Sequence, residues 1–409
     1  MMDEPTHAPP APADLGNFYK NCLLRDILPF WVKFAPDPTG GGYHTNLNRD
    51  GTVYDYTKSC MWSQGRVAWT MAHMHNELEQ RPEWLATARL GVEFLQKHAF
   101  TSDNRIYYSM TRDGRPLEKP LDIFAELSAV LAFTEYARAT QDLKLHQQAR
   151  QLFDRCWRYT QDAGNRERNA GWDPKTCTIR RHGHAMIVLN VIQQLRLFQG
   201  ETATDRERAD ACLDYMLKYH QKPERRLVLE VVEWADGGEA PGWMGRWINP
   251  GHMIEGGIFL IHEGLHRNAS DLKQAGINWI KWGFEWGWDK EYGGLFNDVD
   301  AAHLPIPDTA MVLADSKLWW QHAEALYGLL LACAETSDPW FREAYEKIHA
   351  YSFGHFADPL LGEWYAILDR TGRPINQAKG TSRKNCFHIG RNFLWAWQLT
   401  SQNNRLHKT

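Results

Sequence analysis

Seven cysteines are scattered singly through the 409 residues, with no C-x-x-C pair and no zinc-ligand spacing. An odd, dispersed set of thiols argues against a disulfide framework and is read as reduced cysteine in a cytoplasmic protein. The chain also lacks G-x-x-x-x-G-K-[ST], G-x-G-x-x-G and H-E-x-x-H. Neither a phosphate loop, nor a dinucleotide fold, nor a zincin helix is therefore indicated. Apolar runs such as 258–261 (IFLI) fall far short of the roughly 20 residues that span a bilayer. There is no charge excess of either sign: 46 Lys and Arg against 50 Asp and Glu leave a net −4. Nucleic acid and anionic membrane surfaces are not expected partners of such a chain. Residues 1–14 are rich in Pro and Ala and include Asp3 and Glu4, without a basic start or an apolar stretch. They read as a short disordered arm rather than a signal peptide.

What is abundant is repetition. A Gly- and aromatic-rich hairpin recurs six times, at 41–55, 105–120, 171–181, 226–242, 293–308 and 362–379. Each hairpin is followed by a helix that opens on a polar residue: Arg66, Glu126, His184, His252, Glu324 and His388. Helical periodicity predicts twelve helices, at 15–34, 63–79, 83–98, 121–139, 142–160, 182–199, 205–220, 251–266, 270–286, 316–335, 339–356 and 387–398. Two kinds alternate. The stretch 142–160 is amphipathic and charge-rich, whereas 187–195 and 326–333 are apolar on nearly all sides. All-round apolar helices are buried and amphipathic ones cover them. Six buried helices inside six covering ones make an all-α, (α/α)6 barrel, with the hairpins on the face that carries the polar helix starts. No single unit can bury its own apolar face, so 15–401 is expected to be one domain, followed by a polar tail at 402–409.

The polar starts carry the candidate chemistry. In Asn249-Pro-Gly-His-Met-Ile-Glu255, Pro and Gly mark a helix start, and His252 and Glu255 share a face of the first turn. A helix cap with a satisfied histidine is the competing reading. In Lys317-Leu-Trp-Trp-Gln-His-Ala-Glu324, His322 and Glu324 are two apart and cannot both face the centre; Glu324 is the inward candidate. Trp319 and Trp320 suit a sugar-stacking wall, or plain core. His388 and Arg391 stand three apart in Lys384-Asn-Cys-Phe-His-Ile-Gly-Arg391, Arg66 sits among aromatics in 61–69, and His184 opens the third inner helix with His182 off its face. Nineteen tryptophans are a heavy load of flat faces able to stack on sugar rings. Aromatic walls with a few convergent His, Glu and Arg describe a small-ligand pocket. His252, His322 and His388 have no local spacing for zinc.

At these residues the chain resembles the N-acylglucosamine 2-epimerase family, from about Phe18 to about Trp397. The matching pieces are Leu28-Pro-Phe-Trp31, the hairpin 41–55, Trp62-Ser-Gln-Gly-Arg66, Asn249 to Glu255, Tyr292-Gly-Gly-Leu-Phe296, Lys317 to Glu324, Gly362-Glu-Trp-Tyr365 and Cys386-Phe-His-Ile-Gly-Arg391. The resemblance implies an (α/α)6 barrel and a sugar substrate. It implies chemistry without a metal, and His252 and His388 as the acid/base pair. Arg66, Glu255 and Glu324 fall on its substrate and support positions, joined in the expected pocket by His184, Trp320, Arg391 and Glu126. Family analogy also implies activation by ATP and a homodimer. Two departures stand out: Gly390 replaces the usual proline of the last motif, and His184 occupies a position where the related cellobiose and mannose enzymes, not the N-acyl epimerases, place a histidine. Epimerase and aldose–ketose isomerase share one residue list. An inverting glycosidase using Glu126, Glu255 and Glu324 is the reading from another class, and it leaves the histidines without a task. A binding protein is a third, but 187–197 is too short for a leucine seam.

Overall fold

In the computed structural model, residues 9–161, 179–234, 237–307 and 313–402 are described. Most of the expected arm, most of the tail, most of the third hairpin and Cys177 lie outside them. Twelve helices stand among the described residues. Helix α1 runs from Leu15–Cys22 through a π-helical turn, Leu23–Ile27, into Leu28–Phe34; the turn ends just before Leu28-Pro29, whose proline lacks an amide hydrogen for the ladder. The others are α2 Met61–Glu77, α3 Pro82–Phe94 with a π turn Leu95–Ala99, α4 Phe124–Thr140 and α5 Leu143–Gln161. Next come α6 His182–Gln199, α7 Ala203–Tyr215 with a π turn Met216–His220, α8 Pro250–Arg267 and α9 Ser270–Gly287. The last are α10 Trp319–Glu335, α11 Trp340–His355 and α12 Phe387–Gln402.

The even-numbered helices form the inner ring. Each packs on the next, α2 on α4, α4 on α6, α6 on α8, α8 on α10 and α10 on α12, and α12 closes back on α2. Odd-numbered helices cover them, with α1 against α12. The core lies between the rings, from Leu15 to Ala396. Close approach is bought with glycine at the α8–α9 crossing, where a Cβ on Gly257 would stand 2.7 Å from the Gly276 carbonyl oxygen.

The strands are short, antiparallel and more connected than six separate hairpins. Asn46–Leu47 (β1) pairs Val53–Asp55 (β2), and Ser109–Met110 (β3) pairs Pro116–Glu118 (β4). Gln221–Lys222 (β6) pairs Leu227–Val228 (β7). The strands that feed inner helices instead reach the next unit. Ile179–Arg181 (β5), before α6, pairs Val231–Glu233 (β8); Trp247–Ile248 (β9), before α8, pairs Val299–Asp300 (β10); Lys317–Leu318 (β11), before α10, pairs Ile367–Leu368 (β12). Bridges from Lys58 to Met110 and from Gly380 to Leu47 repeat the step, the second joining the last unit to the first. This belt explains why α10 starts at Trp319 rather than at residue 316: residues 317 and 318 are held extended by pairing with residues 367 and 368.

Three buried carboxylates rivet the belt. Each accepts two backbone amides of its own turn, a lysine that precedes the next inner helix, and an arginine from the following hairpin. The sets are Asp37 with Lys58 and Arg112, Asp289 with Lys317 and Arg370, and Asp358 with Lys379 and Arg49. The third set ties the C-terminal unit to the N-terminal hairpin, with Arg49 Nε 2.6 Å from Asp358.

Candidate active site

Four inner helices aim their first two turns at one cluster. On α8, the Asn249 side chain accepts from the His252 amide at 2.8 Å and Pro250 supplies the first turn, the expected cap. Three residues on, Glu255 faces the same way. On α10, Glu324 points inward. His322 does not: its Nδ1 bonds the Leu318 carbonyl and its Nε2 accepts from the Leu295 amide. On α12, His388 and Arg391 share a face, and on α2 Arg66 lies over the Trp62 and Phe387 rings.

The floor is a charge-balanced knot. One nitrogen of Arg391 donates to Glu255 at 2.5 Å and to Glu324 at 2.6 Å. Glu324 also meets His388 Nδ1 at 2.6 Å. Arg66 Nη1 stands 3.4 Å from His388 Nε2. A guanidinium only donates, so this contact makes Nε2 the acceptor and puts the ring proton on Nδ1, donated to Glu324. Glu255, Glu324 and His388 bring ligand-type atoms within 4.8 Å of one another. The chain's own Arg391 already spans both carboxylates, so the donor set does not fit a metal ion.

The second imidazole has a different partner. His252 Nδ1 lies 2.9 Å from Glu230 Oε2. The Trp320 indole stands between the two histidines, with ring centroids 5.2 Å from His252 and 5.4 Å from His388. His252 keeps 29% of its side chain exposed and His388 8%, while Glu324 and Arg391 are fully buried. His252 and Trp320 are thus half-buried beside a closed ionic floor.

The two histidines are pushed in opposite directions. Burial disfavours the charged form of both. For His252, Glu230, Glu255 and Asp298 outweigh burial and its pKa is raised. For His388, burial prevails, reinforced by the Arg66 and Arg391 guanidiniums against Glu255, and its pKa falls well below the usual value. Burial raises the pKa of Glu324 despite Arg391. Glu230, by contrast, is buried yet drawn down to about 2 by His252.

The remaining expected residues divide. His184, in the first turn of α6, packs on Phe124 and lines a cavity of about 360 Å³ with Arg181, Tyr215 and Trp234. Burial and Arg181 take its pKa down to about 3. Glu126 is not brought to the cluster. It accepts from Arg105 at 2.6 Å and from the Ile106 amide at 2.9 Å, and so anchors the second hairpin. The tryptophans split as well: Trp62, Trp247 and Trp320 border the site, while Trp31, Trp69, Trp279 and Trp364 are core. Gly390 faces α2, where a Cβ would stand 2.9 Å from Thr70 Cγ2, so that departure falls on a helix contact rather than the pocket. Sequence reasoning missed Glu230 and Asp298. The signal for Glu230 was a carboxylate inside the apolar run Leu227-Val-Leu-Glu-Val-Val232, since acids are almost never buried unless paired. Asp298 accepts from Trp247 Nε1 and Asn249 Nδ2, and burial raises its pKa to about 6.

The chain is similar in sequence and in fold to known sugar enzymes. The family model for N-acylglucosamine 2-epimerase (GlcNAc 2-epimerase) matches residues 41–390. An N-acylglucosamine 2-epimerase of Bos taurus is 33% identical over 376 residues, covering 90% of this chain and 87% of the relative. The cellobiose 2-epimerase of Bacillus thermoamylovorans B4167 superposes with a TM-score of 0.77 at 20% identity, covering 94% of this chain and 98% of that one. A D-mannose isomerase structure gives a TM-score of 0.77 at 16% identity, covering 93% and 96%. The two structures share the fold.

Proposed function

The chain belongs to the N-acylglucosamine 2-epimerase family, a family of carbohydrate 2-epimerases, and on that premise we propose that it interconverts N-acyl-D-glucosamine and N-acyl-D-mannosamine through a two-histidine mechanism. The carrying observation is the pair His252 and His388, set about one indole with opposite proton affinities. Groups pushed apart in this way are suited to act as acid and base at one pH.

The open-chain aldose has one acidic carbon-bound proton, at C2 beside the C1 carbonyl. His388 Nε2 takes that proton, the C–H pair becomes the C1–C2 double bond, and the carbonyl pair moves onto O1. Arg66, which already faces His388 Nε2, meets the oxyanion as charge develops. His252 Nε2–H then returns a proton to the opposite face of C2, the O1 pair re-forms the carbonyl, and C2 is inverted. The reverse reaction exchanges the two roles. Trp320 offers a flat wall for the sugar's C–H face.

Identity to the N-acylglucosamine epimerase supports the N-acyl substrate. His184 favours the second reading, a mannose- or cellobiose-type epimerase or aldose–ketose isomerase. An inverting glycosidase is disfavoured: Glu255 and Glu324 share one arginine nitrogen with their oxygens within 4.8 Å, too close for two carboxyls flanking a bond and a water. Proton NMR of N-acetylglucosamine, N-acetylmannosamine, mannose and cellobiose in deuterium oxide tests the proposal. Inversion with deuterium at C2 of the N-acetyl sugars supports it. Turnover confined to mannose or cellobiose selects the second reading. ATP activation and a homodimer belong to the same proposal, read by turnover with and without ATP and by mass in solution.

A further inference from the structure

We propose that Glu230 is the positioning residue of the site: it holds His252 as the proton-bearing member of the pair, so that His388 is left to take the proton. This rests on the two-histidine reading above. Four histidines crowd this carboxylate, and it hydrogen-bonds one of them. His182 stands 3.9 Å away, His220 spends Nδ1 on the Leu229 carbonyl, and His184 packs on Phe124; His252 meets Glu230 at 2.9 Å. Burial keeps the other three neutral, with pKa values of about 3, 4 and 3 for His182, His220 and His184.

The other charged groups around His252 are committed elsewhere. Glu255, one turn further along α8, is held by Arg391 from α12. Asp298, before β10, accepts from Trp247 and Asn249. His182 and His184 of α6 and His388 of α12 also face it, and Arg181, just before α6, adds a cation beside Glu230. Arg66 and Arg391 lie on the His388 side.

Glu230 is also held rigidly. Its amide donates to the Trp247 carbonyl at 2.8 Å and its carbonyl accepts from the His182 amide at 2.9 Å, so both strands that enter α6 and α8 fix it. The start of α6 packs directly on the pair: a Cβ on Gly183 would stand at ordinary contact distance, 3.4 Å, from Glu230 Oε1 and from His252 Cε1. A carboxylate on such a support orients an imidazole by accepting from Nδ1–H, leaving the Nε2 proton for the substrate. When His252 delivers that proton to C2 it keeps its Nδ1 proton, and Glu230 stays ionised throughout.

The test is Glu230→Gln, which keeps size and loses charge. Where reaction needs a proton on His252, activity is lost as pH rises through its pKa. Removing the anion lowers that pKa, so the alkaline limb of kcat/KM should move to lower pH by about one unit or more, with the melting temperature recording the fold separately. Glu230→Asp, which keeps charge but shortens the reach, should fall between the two. Imidazole nitrogen NMR of the unsubstituted protein supplies a second arm: His252 should carry protons on both nitrogens near neutral pH. An unmoved alkaline limb in Glu230→Gln, or a neutral His252 ring near pH 7, overturns the proposal. His252→Ala and His388→Ala run alongside: if either epimerises normally, the two-histidine reading falls; if both are inactive and the Glu230→Gln limb has not moved, Glu230 alone is wrong.

Discussion

Arg66 Nη1 stands 3.4 Å from His388 Nε2, so an obligate donor faces the nitrogen that, in the proposed mechanism, accepts the C2 proton. The same guanidinium disfavours the imidazolium and, in the proposed mechanism, meets the oxyanion. Arg66→Met should therefore lower turnover by roughly 10²–10³-fold, the scale of losing one oxyanion donor. It should also move the acid limb of kcat/KM upward, because His388 loses a cationic neighbour. A pH series on the variant reads both effects, and loss of turnover with an unmoved acid limb would separate them.

The wild-type pH profile should be a broad bell. In the proposed mechanism His388 acts neutral, and its pKa is lowered by burial and the arginines, so activity should be lost only as pH falls through that lowered value. In the same mechanism His252 acts charged, and its pKa is raised by Glu230 against burial, so activity should be lost as pH rises through the raised value. The plateau should be wider than two unperturbed imidazoles near about 6.5 would give. The limbs report the coupled pair. A single narrow optimum would count against the asymmetry.

Ring closure predicts a stability effect away from the pocket. Asp358 is buried with Lys379 and meets Arg49 across the join between last and first units. Asp358→Asn leaves Lys379 buried without its carboxylate partner and should cost about 3 kcal/mol in denaturant unfolding. The native pKa of Asp358 is depressed: burial raises it, but Arg49, backbone amides and Lys379 outweigh that. Its contribution is therefore present above the unfolded carboxylate value of about 3.9 and lost as pH falls below it. Wild type should lose stability on acidification more steeply than Asp358→Asn.

Glu126 should behave as a structural residue. Glu126→Ala strips Arg105 and the Ile106 amide of their acceptor; the melting temperature should fall while KM and kcat of the folded protein hold. A raised KM would bring Glu126 back to the substrate.

The ring architecture was legible because its cause is periodic: six apolar helices alternating with six amphipathic ones, each introduced by turn residues. His252, Glu255, Glu324, His388, Arg391 and Arg66 were legible for the same reason, since each occupies the start of an inner helix. Glu126 occupies that slot too but turns to Arg105, because a neighbouring hairpin brings a cation nearer than the centre does. Glu230 was hidden for the opposite reason. It stands on the belt rather than a helix, and the backbone bonds that fix it, its amide to the Trp247 carbonyl and its carbonyl to the His182 amide, join residues 17 and 48 apart in sequence, a register that local pattern does not encode.

The central claim is that His252 and His388 each serve one face of C2. Deuterium wash-in at C2, measured from each epimer with His252→Ala, His388→Ala and His184→Ala and with folding checked by circular dichroism, tests it most directly. The account predicts that both His252→Ala and His388→Ala lose epimerisation by at least ~10²-fold while each can still exchange the proton on the face served by the histidine that remains. His184→Ala should keep epimerising with altered substrate preference or epimer-to-ketose ratio. Near-normal epimerisation by His252→Ala or His388→Ala, or inactivity of His184→Ala alone, would contradict it.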